Sequence, residues 1–252
     1  MPVPESPVME SPTHTLRQLL ELVPPEEAPY VRTHFERFLL LVDLVGKWAP
    51  ASAEIANIGL SPFDVLAKEI RGWSNYFNVV SGPLMRLGGT KPYSHLNLIE
   101  YDLTSAQSEP PRQFDFVIFS EVLEHLFADD ELVMHQVGRL IRSGGRLLIT
   151  VPNAACHRNR LRLLRGINIH SSKSDIVQGV YGGHGHVREY TLSELKGLLQ
   201  KDFDTEELFG FNTYGTPLQR KILNTLPDSF AFTLVAIARR TDGHLPRRAR
   251  QE

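Results

Sequence analysis

Four side chains that can bind ions or move protons directly follow one apolar run of the chain. Residues 114–119 have strand length and are almost wholly apolar, and Ser120, Glu121, Glu124 and His125 come next. One helical turn brings residues three and four positions apart together, so the last three can form a ligand set for a divalent cation. A short helix with a capping glutamate explains the same residues. We predict no metal at this position.

A second concentration of chemistry lies in residues 179–186, which read Gly-Val-Tyr-Gly-Gly-His-Gly-His. The glycines free such a loop to move, as a lid over a substrate must. A histidine facing a cleft titrates near neutrality and can take a proton from a hydroxyl group. We predict His186 as the catalytic base and His184 as a solvated loop residue.

The elements that position these side chains form a strand–helix–strand crossover. Residues 114–119 form the first strand, and Leu132, Val133, Val137, Leu140 and Ile141 then share one helical face. Gly144-Gly145 should stop that helix, and Arg146–Val151 should form the second strand. Such a crossover makes the strands parallel. Ligands of open parallel sheets bind beyond the carboxyl ends of the strands, where residues 120–125 lie.

The rest of the chain extends this α/β pattern. We predict a disordered N-terminus over 1–12, a helical cap over 13–50, one α/β domain over 51–240 and a disordered basic tail over 241–252. The cap helices either shape a substrate pocket or only cover a sheet edge. The predicted helices are Thr13–Val23, Tyr30–Trp48, Pro62–Arg71 and Thr191–Gln200, and the further strands are Ala53–Ile58, Phe77–Val80, His95–Tyr101, Phe203–Phe211 and Phe230–Ala238.

Three blocks of sequence resemble the class I S-adenosylmethionine-dependent methyltransferases. They are the strand with the Glu-Val-Leu-Glu-His ending at 114–126, the Gly-Gly strand ending in Pro-Asn at 142–153, and the His-Val-Arg-Glu-Tyr-Thr block at 186–195. In combination they are similar to the ubiquinone-pathway O-methyltransferases, over roughly residues 53–240. The resemblance implies a Rossmann-like, doubly wound seven-stranded sheet whose last strand is antiparallel. It also implies S-adenosyl-L-methionine as cofactor, and ubiquinone-pathway enzymes can use a metal at the Glu-Val-Leu-Glu-His block.

The loop after the first strand departs from the family pattern of an acidic residue followed by alternating glycines. Asn57 stands at the acidic position, and Gly59 is the one glycine that remains. Ser61 keeps some of the room that a close backbone approach needs, but Pro62 and Phe63 are a larger change. By the resemblance Asn57, Gly59 and Ser61 contact the cofactor. A structural turn without a ligand is the alternative.

The remaining expected cofactor contacts follow the later strands. Asp102 matches the family position that accepts a hydrogen bond from the adenine amino group, with Leu103 beside it; a turn cap after the third strand is the alternative. Ser81 stands where the family places a ribose-binding carboxylate, which should weaken ribose recognition. Ser120 and Glu121 match the floor of the site beside the methionyl portion.

These residues predict a methyltransferase that acts on a small molecule, with oxygen as the methyl acceptor. One alternative is a degenerate, non-catalytic binding or scaffold protein, for which the eroded loop after the first strand argues. Another is an RNA methyltransferase that uses the arginines of residues 157–165. That segment also fits a surface helix with Leu161 and Leu164 packed inward and its arginines solvated.

Composition narrows the setting. A formal net charge of −2 gives no overall attraction to nucleic acid or to an anionic membrane, and we expect neither as a partner. The single cysteine excludes an internal disulfide bond, and no apolar run has membrane-spanning length. We therefore expect a cytoplasmic protein without membrane insertion.

Overall fold

A seven-stranded sheet forms the centre of the molecule. The computed structural model describes residues 11–81, 96–170, 185–212 and 214–241. The strand order is β3-β2-β1-β4-β5-β7-β6, and β7 alone runs antiparallel to its neighbours, which confirms the predicted Rossmann-like architecture. The strands are β1 Ile55–Ile58, β2 Tyr76–Val80, β3 Leu98–Glu100, β4 Phe114–Ser120, β5 Ile141–Pro152, β6 Phe203–Phe211 and β7 Thr233–Arg240.

Helices cover both faces of this sheet, because β4 directs apolar side chains alternately to each side. Val117 and Phe119 belong to the cluster that packs under α4 and α6, whereas Phe116 and Ile118 pack with the N-terminal helices α1 and α2. The cap helices thus cover one face of the sheet. The helices are α1 Pro12–Leu22, α2 Ala28–Trp48, α3 Pro62–Val65, α4 Asp130–Arg139, α5 His157–Leu164, α6 Leu192–Leu199 and α7 Pro217–Leu223.

The predicted end of the crossover helix is wrong. Helix α4 ends at Arg139, and Ile141 already pairs with Phe114 as the first residue of β5. Gly144, with φ +70°, and Gly145 lie in an irregular part of that strand rather than at a helix end. A Cβ on Gly145 would lie 2.9 Å from a neighbouring carbonyl oxygen, so the glycine permits the strand to bulge there.

Two further predicted segments differ from the structure. The segment predicted as one α-helix over 62–71 is α3 followed by a π-helical turn over Leu66–Ile70. In α5 the two leucines predicted to pack inward are exposed, Leu161 by 49% and Leu164 by 83%. Helix α5 has no buried residues, so the apolar face that its sequence pattern indicates lies on the surface and is not part of the core.

Helix α1 begins at Pro12, the last residue of the segment predicted to be disordered. Ser11 is its N-cap, and the Ser11 hydroxyl accepts a hydrogen bond from the amide of His14. Within the described ranges, the helices are all too short or too polar to cross a membrane.

Candidate active site

The turn after β1 requires a glycine. Gly59 has φ +101°, a conformation that side chains disfavour, and its amide donates to the carbonyl of Val79 at 2.9 Å. A Cβ at this position would lie 3.3 Å from Cγ2 of Val122. The chain therefore passes close to the segment that follows β4, with no side chain of its own at this position.

One buried carboxylate after this turn, Asp64, binds polar side chains of β1 and β2 and a backbone amide of the turn. Its Oδ1 accepts hydrogen bonds from Asn57 at 2.8 Å, from Asn78 at 2.6 Å and from the Tyr76 hydroxyl at 2.6 Å. Its Oδ2 accepts the amide of Ser61 at 2.6 Å. Burial raises the pKa of Asp64, and these hydrogen bonds oppose that shift. Asn57 thus supports the turn through its side-chain amide, which donates to Asp64. The sequence did not reveal that Asp64 is the centre of this hydrogen-bond network.

Ser61 also has a structural role in this turn. Its hydroxyl accepts the amide of Phe63 at 3.3 Å, and with Asp64 it forms a capping box at the start of α3. Pro62 occupies the first helical position, where its missing N–H costs nothing. Ser61 and Asn57 therefore shape the turn, and Gly59 supplies the open backbone.

Asp102 and Leu103 lie beside Ser81, beyond the ends of β2 and β3. Asp102 Oδ1 accepts the amide and hydroxyl of Thr104 at 2.9 and 2.7 Å, so this oxygen does cap a turn. The Ser81 hydroxyl accepts the Leu103 amide at 3.3 Å. None of the described residues donates a hydrogen bond to Asp102 Oδ2. The carboxylate can therefore cap the turn and still accept a bond from a ligand.

Glu121, at the end of β4, is held by a buried arginine from the cap. Its backbone has φ +54°, its Oε1 accepts the Thr150 hydroxyl at 2.9 Å, and its Oε2 lies 3.2 Å from a guanidinium nitrogen of Arg37. The Thr150 hydroxyl is in turn 2.8 Å from that of Ser120. Arg37 also donates to the Tyr30 hydroxyl at 2.9 Å. Sequence reasoning missed Arg37, whose one signal was a charge within the apolar stripe of α2.

Glu124 is buried without a hydrogen bond to its carboxylate. The residue is 1% exposed, and neither of its carboxylate oxygens has a hydrogen-bond partner. Burial and the nearby Glu121 carboxylate raise its pKa well above the usual range of a glutamate. Oε1 lies 3.8 Å from Nε2 of His125. Burial of a polar group without a hydrogen bond is energetically unfavourable.

His186 lies against the same cluster. Its ring meets that of His125 edge to face, with centroids 5.1 Å apart, and its Nδ1 is 3.0 Å from a carboxylate oxygen of Glu189. The amide of Val187 donates to the carbonyl of Glu124 at 2.8 Å, which ties this segment to the end of β4. His184 lies outside the described residues. Glu189 is, after Asp64 and Arg37, a third residue that the sequence did not single out.

The metal-ligand set considered from the sequence does not assemble. Both oxygens of Glu121 are engaged, one with Thr150 and one with Arg37, and the carboxylate of Glu121 therefore does not fit a metal site with Glu124 and His125.

Comparisons with known proteins agree with this architecture. Residues 91–204 match the family described as "Methyltransferase domain". A SAM-dependent methyltransferase from Thermotoga maritima superposes with a TM-score of 0.55 at 14% identity, over 89% of this chain and 99% of that one. A protein from Pyrococcus horikoshii OT3 gives 0.53 at 14% identity, over 93% and 100%. No curated protein matches the sequence.

At 14% sequence identity, the superpositions show that these proteins share a fold with this chain and show no more than that. The sheet order, the glycine turn after β1 and the matched domain together define the chain as a protein of the class I, Rossmann-like methyltransferase fold.

Proposed function

We propose that the protein is an S-adenosylmethionine-dependent methyltransferase that methylates an oxygen atom of a small molecule. The observation that carries the proposal is the turn at Gly59, whose φ of +101° disfavours a side chain and whose added Cβ would press on Val122, at the same sheet edge as the half-buried carboxylate of Asp102. The cofactor supplies a methyl group activated by its sulfonium, and the protein's main task is to hold acceptor and methyl in line.

The residues at this edge suit the parts of that cofactor. Asp102 Oδ2 can accept a hydrogen bond from the adenine amino group. Leu103 and Ser81 lie beside Asp102 and would border the adenine. The backbone at Gly59 allows close approach of the ligand. Ser120 and Glu121, at the end of β4, would form the floor of the cofactor site beside the methionyl portion. Thr150 contacts both side chains, and Arg37 holds the Glu121 carboxylate from the other side.

His186 supports oxygen as the acceptor atom. A hydroxyl acceptor must lose a proton during transfer, and a neutral imidazole within reach can take it. The contact between His186 Nδ1 and Glu189 favours the tautomer that carries its proton on Nδ1, which leaves Nε2 able to accept one. Glu189 thus orients the base and stabilises the imidazolium that forms.

Aromatic side chains beside Glu121 support a small acceptor with a ring. The rings of Tyr30 and His34 are tilted by 45° with centroids 4.3 Å apart, and the ring of Tyr214 meets those of His34 and Phe232 edge to face at 6.0 and 5.2 Å. Tyr30 and Tyr214 are 40% and 41% exposed, so part of each ring can contact a ligand. Such rings bind flat apolar groups and cations well.

The test is calorimetric titration with S-adenosylmethionine and its demethylated product. We expect binding in the micromolar range or weaker, because the family carboxylates at Asn57 and Ser81 are absent and each lost charge-assisted bond costs about 1.5–3 kcal/mol. Gly59→Val should abolish binding. Gly144→Val is the matched control, because Gly144 also has positive φ but nothing within 4 Å of its added Cβ.

A non-catalytic binding or scaffold protein is the second candidate, and the state of Asn57 and Ser61 favours it. Both side chains serve the turn itself, through Asp64 and through the start of α3. Absence of cofactor binding by the wild-type protein at saturating concentration would favour this candidate over the enzyme. Equal binding by the Gly59→Val variant would instead show that the cofactor lies elsewhere.

A further inference from the structure

Two tyrosine hydroxyl groups lie near the buried ion pair at the end of β4. The ring of His34 contacts both tyrosines, with its centroid 4.3 Å from that of Tyr30 and 6.0 Å from that of Tyr214. Arg37 connects this aromatic cluster to Glu121, since it donates to the Tyr30 hydroxyl and lies 3.2 Å from the Glu121 carboxylate. The two tyrosines therefore lie at the carboxyl end of β4, where we place the methyl acceptor.

The Tyr30 hydroxyl accepts a hydrogen bond but donates none to the described residues. Arg37 is 4% exposed, and its guanidinium donates to the Tyr30 oxygen at 2.9 Å. A hydroxyl group can donate one hydrogen bond while it accepts others, so the Tyr30 proton is available to a ligand. A bond from a charged donor also polarises the hydroxyl, which strengthens the bond that it donates in turn. Arg37 thereby fixes the Tyr30 oxygen and makes Tyr30 a better donor.

The Tyr214 hydroxyl makes no hydrogen bond within the part of the chain that the structure describes. Burial raises the pKa of Tyr214, and the Glu121 carboxylate adds to that shift, which Arg37 and Arg158 oppose without cancelling it. Burial likewise raises the pKa of Tyr30, so both phenols keep their protons at neutral pH. Ionisation of Tyr30 would raise the pKa of Tyr214 further, which means that the two hydroxyls are within electrostatic reach of each other.

The charges around these two donors leave the position close to neutral. Those of Arg37 and Glu121 offset each other at 3.2 Å. Burial lowers the pKa of His34 to about 4, so its ring is uncharged at neutral pH. Arg158 is exposed, and solvent screens its charge. A neutral hydrogen-bond acceptor therefore fits better than an anion, and a cationic amine would bring further donors to a position that already has two.

Two protonated donors without acceptors suit one oxygen atom that offers two lone pairs, as a carbonyl oxygen does. We propose that the hydroxyl groups of Tyr30 and Tyr214 donate hydrogen bonds to a carbonyl oxygen of the methyl acceptor. The two tyrosines thus select acceptors whose ring carries a ketone group, and they fix the orientation of that ring. This role rests on the proposed function, which supplies the acceptor.

The experiment compares two ring compounds that differ at one group. In 3-hydroxyacetophenone a carbonyl group stands where 3-ethylphenol has a methylene group, and each compound is titrated by calorimetry into the full chain without cofactor. We expect the ketone to bind about 10–100-fold more tightly, because it gains two hydrogen bonds. Tyr30→Phe and Tyr214→Phe should each weaken ketone binding by about 3–10-fold and leave the affinity for 3-ethylphenol within about twofold. The double variant should bind both compounds equally.

The matched control is Tyr101→Phe, which removes a tyrosine hydroxyl that bonds Gln136 at 2.5 Å, outside this cluster. It should keep the wild-type preference for the ketone. A merely structural role of Tyr30 or Tyr214 would change the affinities for both compounds, whereas a donor role changes only that for the ketone. Circular dichroism shows whether each variant is folded. If Tyr30→Phe unfolds, Tyr214→Phe decides alone, because Tyr214 is 41% exposed.

Equal binding of the two compounds by the wild type would overturn the proposal, as would absence of binding or a preference for the ketone that survives in the double variant. Tighter binding of 3-hydroxybenzoate than of the ketone would show selection of an anion and would also contradict it. Failure of the proposed function is distinguishable, because these titrations need no cofactor and the S-adenosylmethionine titration reports on Gly59 separately.

Discussion

Replacement of Arg37 by Met tests whether the cap helix α2 holds the end of β4. Arg37 Nη1 lies 3.2 Å from Glu121 Oε2, and the two side chains are 5% and 16% exposed. Burial lowers the pKa of Arg37, but Glu121 and Tyr30 raise it by more, so the guanidinium is charged. Arg37→Met therefore leaves the Glu121 carboxylate buried without its counter-ion.

The expected loss of folding stability follows from that uncompensated charge. Removal of one partner of a buried ion pair costs about 3–5 kcal/mol. Glu121 keeps its hydrogen bond from Thr150, which places the estimate near the lower end, at about 3–4 kcal/mol. For a chain of this length that corresponds to a decrease of about 6–16 °C in the melting temperature.

Urea unfolding, followed by circular dichroism, measures the change in free energy. Arg32→Met on the exposed side of the same helix is the matched control and should change stability by less than about 0.5 kcal/mol. The double variant Arg37→Met with Glu121→Gln should recover part of the loss, since it removes both charges. A loss for Arg37→Met no larger than that of Arg32→Met would refute the reasoning.

Four further predictions concern the site. Asp102→Ala should weaken S-adenosylmethionine binding by about tenfold without unfolding the domain, measured by calorimetry. His186→Ala should lower the turnover number about a hundredfold and leave cofactor affinity unchanged, whereas His184→Ala should lower the turnover number much less. Burial raises the pKa of Glu124 well above its usual value in the folded protein, so its ionisation reduces stability as pH rises above about 4.5. Glu124→Gln should therefore raise the melting temperature, and by more at pH 8 than at pH 5. Burial lowers the pKa of His34 to about 4, so His34 reduces stability as pH falls below about 6.5, and His34→Gln should flatten the loss of melting temperature between pH 6.5 and pH 4.

Local signals in the sequence were sufficient for most of the fold. The capping box of Thr191 and Glu194 forms as predicted, because its partners are three residues apart and no distant contact is needed. The strand predicted over 203–211 is found at the same bounds. In contrast, Ile141 continues a helical pattern but pairs with Phe114, since sheet pairing outweighs the periodicity of a single apolar residue.

The parts of the site that the sequence did not reveal depend on contacts between distant segments. Arg37 reaches Glu121 across 84 positions of the chain, and Asp64 collects donors from β1 and β2. Such partners cannot be read from spacing. The exposed leucines of α5 were mispredicted for a related reason, because an amphipathic pattern shows which face is apolar but not whether anything covers it.

The turn between β1 and α3 is ordered before any ligand arrives. Four donors converge on Asp64, Pro62 restricts one backbone angle, and the amides of Gly59 and Asp64 are bonded to carbonyls at 2.9 Å. Conformational entropy is thus lost on folding and not on association, whereas a loop rich in glycine must lose it when the ligand binds. Amide hydrogen exchange in this turn should therefore be slow in the free protein and change little on ligand binding. A preorganised turn compensates in part for weak polar anchoring, because less of the interaction energy is consumed in ordering the chain.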